Sequence, residues 1–531
     1  MQAELQPPWW KAPVGTRTAH DKATAWRWVV LLCGVQLLLW GFGLGLARRA
    51  PELDSAEQFV WAFSMENGYW KHPPVPSWIM HGLLLVFGPS VALPFVATQL
   101  SIVIALAILW KLGCEFMSPR RSLIAMALTS LVSYHNIGGD SYNHNTIMLP
   151  FQAATWLFFY RATRSGSLRQ WVAVGLFAGL SMLVKYVAVL PLAGLLIYFA
   201  ADRSLHRTRM VAGLLLAVGV FALVMLPHAL WLRSTQFLPF HYVNAVAQSL
   251  PGMPATLRSL ADFLLMQLLR LSPFLLGLWF VLRRPRGASQ RGLPEATAPK
   301  PSGRDLGFLW IAAATPLLLT VMMGLVAETE LQSRWGANAF LLVGWLAMAH
   351  VRVDDTPALQ RRALRFVIGM QIALCLTVTL AKTWGAEHLQ FRARANFPGD
   401  VLARQAQATW AAHTDAPLRL VVSDVWLGGN MIAHTDRRLA VLIDGRHFKS
   451  PWVKEQAVED CGALVMDDQT NDAVGHAKPD AALEALMARA LHRGTWSLPW
   501  NGSHGDENGA VEGRVNWGII PPAHPDACLT R

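Results

Sequence analysis

The first three quarters of this chain are built from apolar runs of about 20 residues, each long enough to cross a hydrocarbon core of roughly 30 Å as a helix. No other feature constrains the fold as tightly. Lipid cannot satisfy bare backbone N–H and C=O groups, so runs of this kind must be helical. They cover residues 27–47, 91–112, 121–137, 145–162, 170–184, 186–201, 210–232, 260–282, 306–326, 336–351 and 364–384, which predicts about eleven spans. Only Lys185-Tyr186 splits the fifth run from the sixth. Charged residues make up 15% of the chain, against about 25% in soluble domains. The first 25 residues are polar, and the first apolar run lacks a small-residue cleavage site, so it reads as a signal anchor rather than a cleaved leader.

The net charge of +12 could point to nucleic acid. Its distribution argues against that. Alternate loops are rich in basic residues: Lys111, Arg120 and Arg121; Arg161, Arg164 and Arg169; Arg203, Arg207 and Arg209; Arg283 to Arg304; Arg352 to Arg365. The intervening loops hold few. The positive-inside rule therefore predicts a cytoplasmic N-terminus, with loop 48–90 and the tail after about residue 385 on the outside. Residues 76–88 are apolar but too short to span, which predicts a helix lying in the outer interface. Segment 285–305 reads as a cytoplasmic linker.

The composition changes in the tail. Runs 419–425, 439–444 and 462–468 are strand-like and 482–492 is helix-like, which predicts a small α/β domain. The chain thus divides into a membrane domain, 1–384, and an outside domain, 385–531. Cys461 and Cys528 both fall in that tail, where a disulfide is expected in an oxidising compartment; two free thiols are the alternative.

Ionisable groups gather in the outside loops. LDSAEQFVWAFSMENGYWKHPPVPSW, 53–78, carries Asp54 with Glu57 on the same face if the stretch is helical. A carboxylate there could be a general base, a cation ligand or a solvated loop charge. Lys71 and His72, ahead of a rigid Pro73-Pro74, suit a phosphate at headgroup depth. They also suit simple interfacial anchoring beside Tyr69, Trp70 and Trp78. YHNIGGDSYNHN, 134–145, brings Asp140, His135 and His144 close to two spans. Those three could hold a divalent metal, though their spacing matches no metal signature. Lys185 and Arg334 each end a span on the outside, where snorkelling or an anionic lipid headgroup would explain them. GFGLG, 41–45, lies inside a span, where small residues pack helices.

In order along the chain, LDSAEQ…GYWKHPPVPSW, an apolar run ending in FG, DSYNHN, GLSMLVKY and a late RW resemble the C-type (GT-C) membrane glycosyltransferases. The resemblance is to the protein-mannosyltransferase-like family 39, related to the lipid A aminoarabinose transferases, and it covers roughly residues 25 to 350. It implies a polytopic helical membrane protein of the bacterial inner membrane. Such a protein makes an inverting transfer of a sugar from a polyprenyl-phosphate donor to an envelope lipid, glycan or protein. Asp54 resembles the catalytic aspartate of the first outside loop and Asp140 a second acidic residue. Lys71, His72, Lys185 and Arg334 would hold the donor phosphate. In the aminoarabinose transferase the lysine directly precedes the two prolines, whereas here His72 does. Glu57 stands where that transferase has arginine. Tyr69, His144 and Tyr186, with Glu57, are candidate substrate contacts, and a divalent metal stays open as a cofactor. The competing expectation is a transporter or flippase of a lipid-linked or anionic solute, which would place charges within spans and repeat its halves. Neither feature stands out in this sequence.

Overall fold

The computed structural model describes residues 14–246, 250–283, 301–353, 355–389, 392–470, 480–500 and 512–528. Among the described residues six helices are long and apolar enough to cross a membrane: Asp21–Leu46, Ala92–Gly113, Thr208–Ser234, Met253–Leu282, Gly303–Ala327 and Pro357–His388. The chain is therefore a multi-pass membrane protein. Leu168–Val184 and Tyr186–Ala201 are shorter apolar helices that meet at Lys185. Two of the expected runs differ in form. Besides a short 3-10 turn in each, residues 121–137 yield an α-helix only over Pro119–Thr129, and 336–351 only over Val343–His350. At 1.5 Å per residue these reach about 16 and 12 Å, too short to cross alone. The first is apolar because it is enclosed: Ser122 through Thr129 are all buried. Most of the linker expected at 285–305 lies outside the described residues, but its end is ordered as a capping box, in which Ser302 and Asp305 start the helix Gly303–Ala327.

Small residues let the first helix approach the next, as its sequence suggested. A Cβ on Gly41 would lie 3.3 Å from the Val96 Cα, and one on Gly45 would lie 3.0 Å from the Ala92 Cα. Around the first of them the helix widens to a π turn over Leu37–Gly43, and buried Trp40 donates from Nε1 to Gln371 Oε1 at 2.7 Å.

After this helix the chain forms a short loop helix, Leu53–Trp61, then a tight turn, then the 13-residue helix Val75–Phe87 expected at the interface. Ile79, Leu85, Val86 and Phe87 on that helix are exposed.

The tail forms a five-stranded sheet: β1 Leu420–Ser423, β2 Ala440–Ile443, β3 Ala463–Asp468, β4 His492–Pro499 and β5 Glu512–Ile520. The order is β2-β1-β3-β5-β4, with β1 parallel to β2 and β3, and the β3–β5 and β5–β4 pairs antiparallel. β1 and β2 are buried along their whole length, which is why they read as unbroken apolar runs. A domain helix, Val425–His434, follows β1, its N-terminus capped by Asp424, which accepts from the Leu427 N–H at 2.8 Å. Cys461 and Cys528 form the expected disulfide. One apolar core runs from Ala56, Phe59 and Trp61 of the loop helix to Leu427, Met431 and Val441 of the tail, so the tail packs directly on the loop.

Candidate active site

Pro51 and an extended Glu52 lead into the loop helix, and Asp54 falls in its first turn, where the helix dipole favours a carboxylate. Every residue from Ser55 to Trp61 is buried. Glu57 lies one turn beyond Asp54 and meets Lys71 Nζ at 2.5 Å. Asp54 itself is half-buried and, among the described residues, accepts no hydrogen bond and makes no ion pair. Its charge nevertheless acts on Glu57, Lys71 and Lys185, so these groups share one electrostatic neighbourhood.

Lys71 sits at the tip of a two-residue turn. Tyr69 N–H donates to His72 O at 3.0 Å and His72 N–H donates back to Tyr69 O at 3.2 Å. This puts the Lys71 ammonium among the rings of Trp61, Trp70 and Tyr242, 5.7, 5.2 and 5.6 Å from their centroids. Burial pushes the Glu57 carboxyl up and Lys71 pulls it back; burial pulls Lys71 down, but Glu57 more than offsets this and leaves the ammonium raised. Tyr69 lies beneath the turn, 1% exposed. It stacks on Trp61 at 4.9 Å and donates its hydroxyl to Ser64 O at 2.6 Å. Buried in this way, Tyr69 supports the turn that carries Lys71 and His72.

His72 faces His144, with ring centroids 4.0 Å apart. Burial first, then His144, Lys185, Lys71 and Arg334, hold the His72 imidazole neutral, well below its ordinary value. His144 Nε2 is buried with no hydrogen-bond partner. It opens the helix His144–Ser165, whose N-cap Asn143 accepts from the N–H groups of Asn145 and Thr146. Asn145 then accepts from Lys185 Nζ at 2.7 Å, which points the lysine into the same space. Lys185 is available because the chain breaks to extended geometry there (φ −160, ψ 135) between two helices. Arg334 is exposed at the rim and acts electrostatically on both His72 and Lys185. Tyr186 borders the group. Asn67 O can only accept, so His228 Nδ1 carries the proton at 2.6 Å, and His228 Nε2 accepts from the Tyr186 hydroxyl at 2.8 Å.

Asp140 belongs to a second cluster. It meets Lys382 Nζ at 2.9 Å and Arg48 at 3.6 Å, and Glu52 bonds to the same two cations at 3.8 and 3.5 Å. Burial, then Asp140, push the Glu52 carboxyl up against the pull of Lys382, Arg48 and Arg394. The metal triad considered from sequence does not assemble. His135 Nδ1 bonds Thr129 O, His144 lies against the His72 ring at a tilt, and Asp140 bonds Lys382. Among the described residues no three His, Cys, Asp or Glu side chains converge to hold a metal ion. Sequence reasoning missed Glu52, Arg48, Lys382, Asn145, His228 and Tyr242. Lys382 offered the same signal as Arg334, a cation closing a span, but it was counted within its run.

The tail contributes the other wall. Lys449 Nζ lies 5.1 Å from the Trp70 ring, and Trp452 meets Tyr69 edge-on at 6.2 Å.

Residues 71–231 match a family model described as dolichyl-phosphate-mannose-protein mannosyltransferase. The lipopolysaccharide core galacturonosyltransferase RgtA of Rhizobium johnstonii is 23% identical over 482 residues, covering 86% of this chain and 90% of that protein. The lipid A galacturonosyltransferase RgtD of the same organism is 23% identical over 306 residues, 55% of this chain and 60% of that one. The crystal structure of ArnT from Cupriavidus metallidurans bound to undecaprenyl phosphate superposes with a TM-score of 0.58 at 14% identity, over 92% of this chain and 98% of that one. The same protein in the apo state gives 0.58.

Proposed function

We propose, for a chain related to the C-type membrane glycosyltransferases and sharing the fold of ArnT, an inverting transfer of a sugar from a polyprenyl-phosphate donor to lipopolysaccharide at the periplasmic face of the inner membrane. The observation that carries this reading is Asp54, a carboxylate that among the described residues has neither hydrogen bond nor ion pair, set in one electrostatic neighbourhood with Lys71, Lys185 and the rim Arg334. A base must be free to accept a proton, and a leaving lipid phosphate needs cations at headgroup depth.

In the step, an acceptor hydroxyl attacks the sugar's anomeric carbon from the face opposite the phosphate. The C–O bond to phosphate breaks, its electron pair leaves with polyprenyl phosphate, and the acceptor proton passes to Asp54. Lys185, fixed by Asn145, and Arg334 bind the phosphate and stabilise its charge as it departs. Lys71 shares its charge with Glu57 and contributes at the wall, and His72, neutral before the donor arrives, donates an N–H bond rather than a charge. Asp140, locked between Lys382 and Arg48, orders the second outside turn near the acceptor entrance. The relatives act on lipopolysaccharide core and lipid A and transfer galacturonic acid, which makes a uronic acid the first sugar to look for.

The test is mass spectrometry of lipopolysaccharide from cells lacking the gene, complemented with the wild type or with Asp54→Asn. Loss of one sugar residue's mass in the null and in Asp54→Asn, with restoration by the wild type, is expected. A full complement of the modified species in Asp54→Asn cells would sink the assignment.

A further inference from the structure

The domain helix Val425–His434 is enclosed on two sides, and it carries two glycines where a helix would ordinarily favour other residues. Each glycine serves one side. A Cβ on Gly428 would lie 2.7 Å from Val441 Cγ1 of β2. A Cβ on Gly429 would lie 2.4 Å from the Ala56 carbonyl oxygen and 2.5 Å from the Ala56 Cβ. Ala56 is the residue between Asp54-Ser55 and Glu57, so the tail packs without room for a side chain against the turn of helix that bears the proposed base.

The other supports of this helix come from the membrane domain. Ser55 Oγ accepts from the Tyr142 N–H at 2.9 Å, and Gln58 Oε1 accepts from Ser77 Oγ at 2.9 Å. The tail supplies the third side and also grips the segment that leads in. His434 Nε2 donates to Arg49 O at 3.0 Å, Arg49 N–H donates to Ala395 O at 2.9 Å, and the Arg49 guanidinium meets Asp400 at 2.8 Å. Among the described residues the Asp54 side chain has no hydrogen bond or ion pair, so its place is set by how its helix is held.

We infer that the domain helix is a positioning element for the Asp54 carboxylate, with Gly429 setting the spacing between the two helices and His434 fixing the entry to the loop helix. This rests on the transferase reading. It gives the tail a task in the reaction: keeping the base at the distance at which it meets the acceptor hydroxyl. A misplacement near 1 Å in such a site can cost about a hundredfold in rate. Lys185, Arg334 and Asn145 stand on other elements, so a change in this spacing should act on transfer far more than on donor-phosphate binding.

The experiment compares the full-length protein with Gly429→Ala, His434→Ala, His434→Gln and Asp54→Asn. It reads modified lipopolysaccharide in complemented cells and the Kd of the purified protein for undecaprenyl phosphate in detergent. The expected result for Gly429→Ala is a loss of transfer of about tenfold or more with Kd changed less than about twofold. His434→Ala should lose transfer with the same unchanged Kd. His434→Gln, which keeps an N–H donor for Arg49 O, should recover most of it. Wild-type transfer by Gly429→Ala and His434→Ala overturns the inference. So does a joint loss of transfer and phosphate binding that His434→Gln fails to rescue, because that is general unfolding. If Gly429→Ala does not fold, the His434 pair decides by the same criteria. Full transfer by Asp54→Asn instead removes the transferase assignment of Asp54, whatever the glycine shows.

Discussion

Glu57 and Lys71 are an ion pair with side chains only 6% and 18% exposed, and their worth depends on both being present. Removing one charge from a buried pair leaves the other uncompensated, typically at a cost of about 3–5 kcal/mol, whereas replacing both with apolar groups of similar size is often neutral. Lys71→Met should therefore lower stability by about 3 kcal/mol, and Glu57→Leu/Lys71→Met should regain much of it. The deficit in the single variant should shrink as pH falls, because burial already raises the Glu57 carboxyl and protonation removes the stranded charge. Thermal unfolding in detergent from pH 8 to 5 reads both effects. His72 acts in the opposite sense with pH. Its folded-state value lies well below 6.5, so the unfolded chain takes up a proton before the folded one does. The neutral His72 contributes stability above about pH 6.5 that is lost as pH falls below it, at up to about 1.4 kcal/mol per unit. His72→Gln should lose less stability than the wild type between pH 6.5 and 5; equal slopes would show that His72 is not held neutral.

At the level of elements, the loop helix entered only as a condition for Asp54 and Glu57 to share a face, while the sequence located the first three strands because buried strands read as apolar runs. It did not distinguish a span from an enclosed helix. The apolar residues Leu123–Leu128 of Pro119–Thr129 are enclosed by protein, and Val343–His350 buries Gly344, Trp345 and Met348 against it; apolarity alone does not say whether protein or lipid does the covering. Nor could it resolve Lys71 from His72. That depended on a turn closed by two backbone bonds, which aims Lys71 at aromatic rings and His72 at His144. The three groups considered for a metal share one short segment, yet the chain turns each toward a different partner. β4 and β5 escaped notice because their exposed residues interrupt the apolar pattern. Where sequence and packing do agree, a substitution can test the match. A Cβ on Gly45 would lie 3.0 Å from the Ala92 Cα, so Gly45→Val overfills the seam between two spans. It should cost about 1–3 kcal/mol, seen as a lower melting temperature, while Gly34→Ala, with open space around its Cβ position, should be nearly silent.

For the whole molecule, the orientation drawn from loop charges and the pairing of Cys461 with Cys528 make one joint prediction. The disulfide closes a loop of 67 residues, which by chain entropy stabilises the tail by about 4 kcal/mol, provided it forms. It persists only where the compartment is oxidising, which in a bacterial cell means the periplasm. Because the tail packs on the loop helix through one continuous core, the same measurement fixes the side on which Asp54 and the cations beside it stand. Membranes prepared without reductant, with thiol exchange blocked, should be denatured and treated with a maleimide that adds a fixed mass per thiol. Three thiols, Cys33, Cys114 and Cys375, should then react, and all five after reduction. Three reacting thiols place the tail and the site outside, where a lipid-linked sugar would meet lipopolysaccharide. Five reacting thiols before reduction would put the tail in the cytoplasm and invert every loop, leaving the cation-rich site on the wrong side for the acceptors that the relatives use.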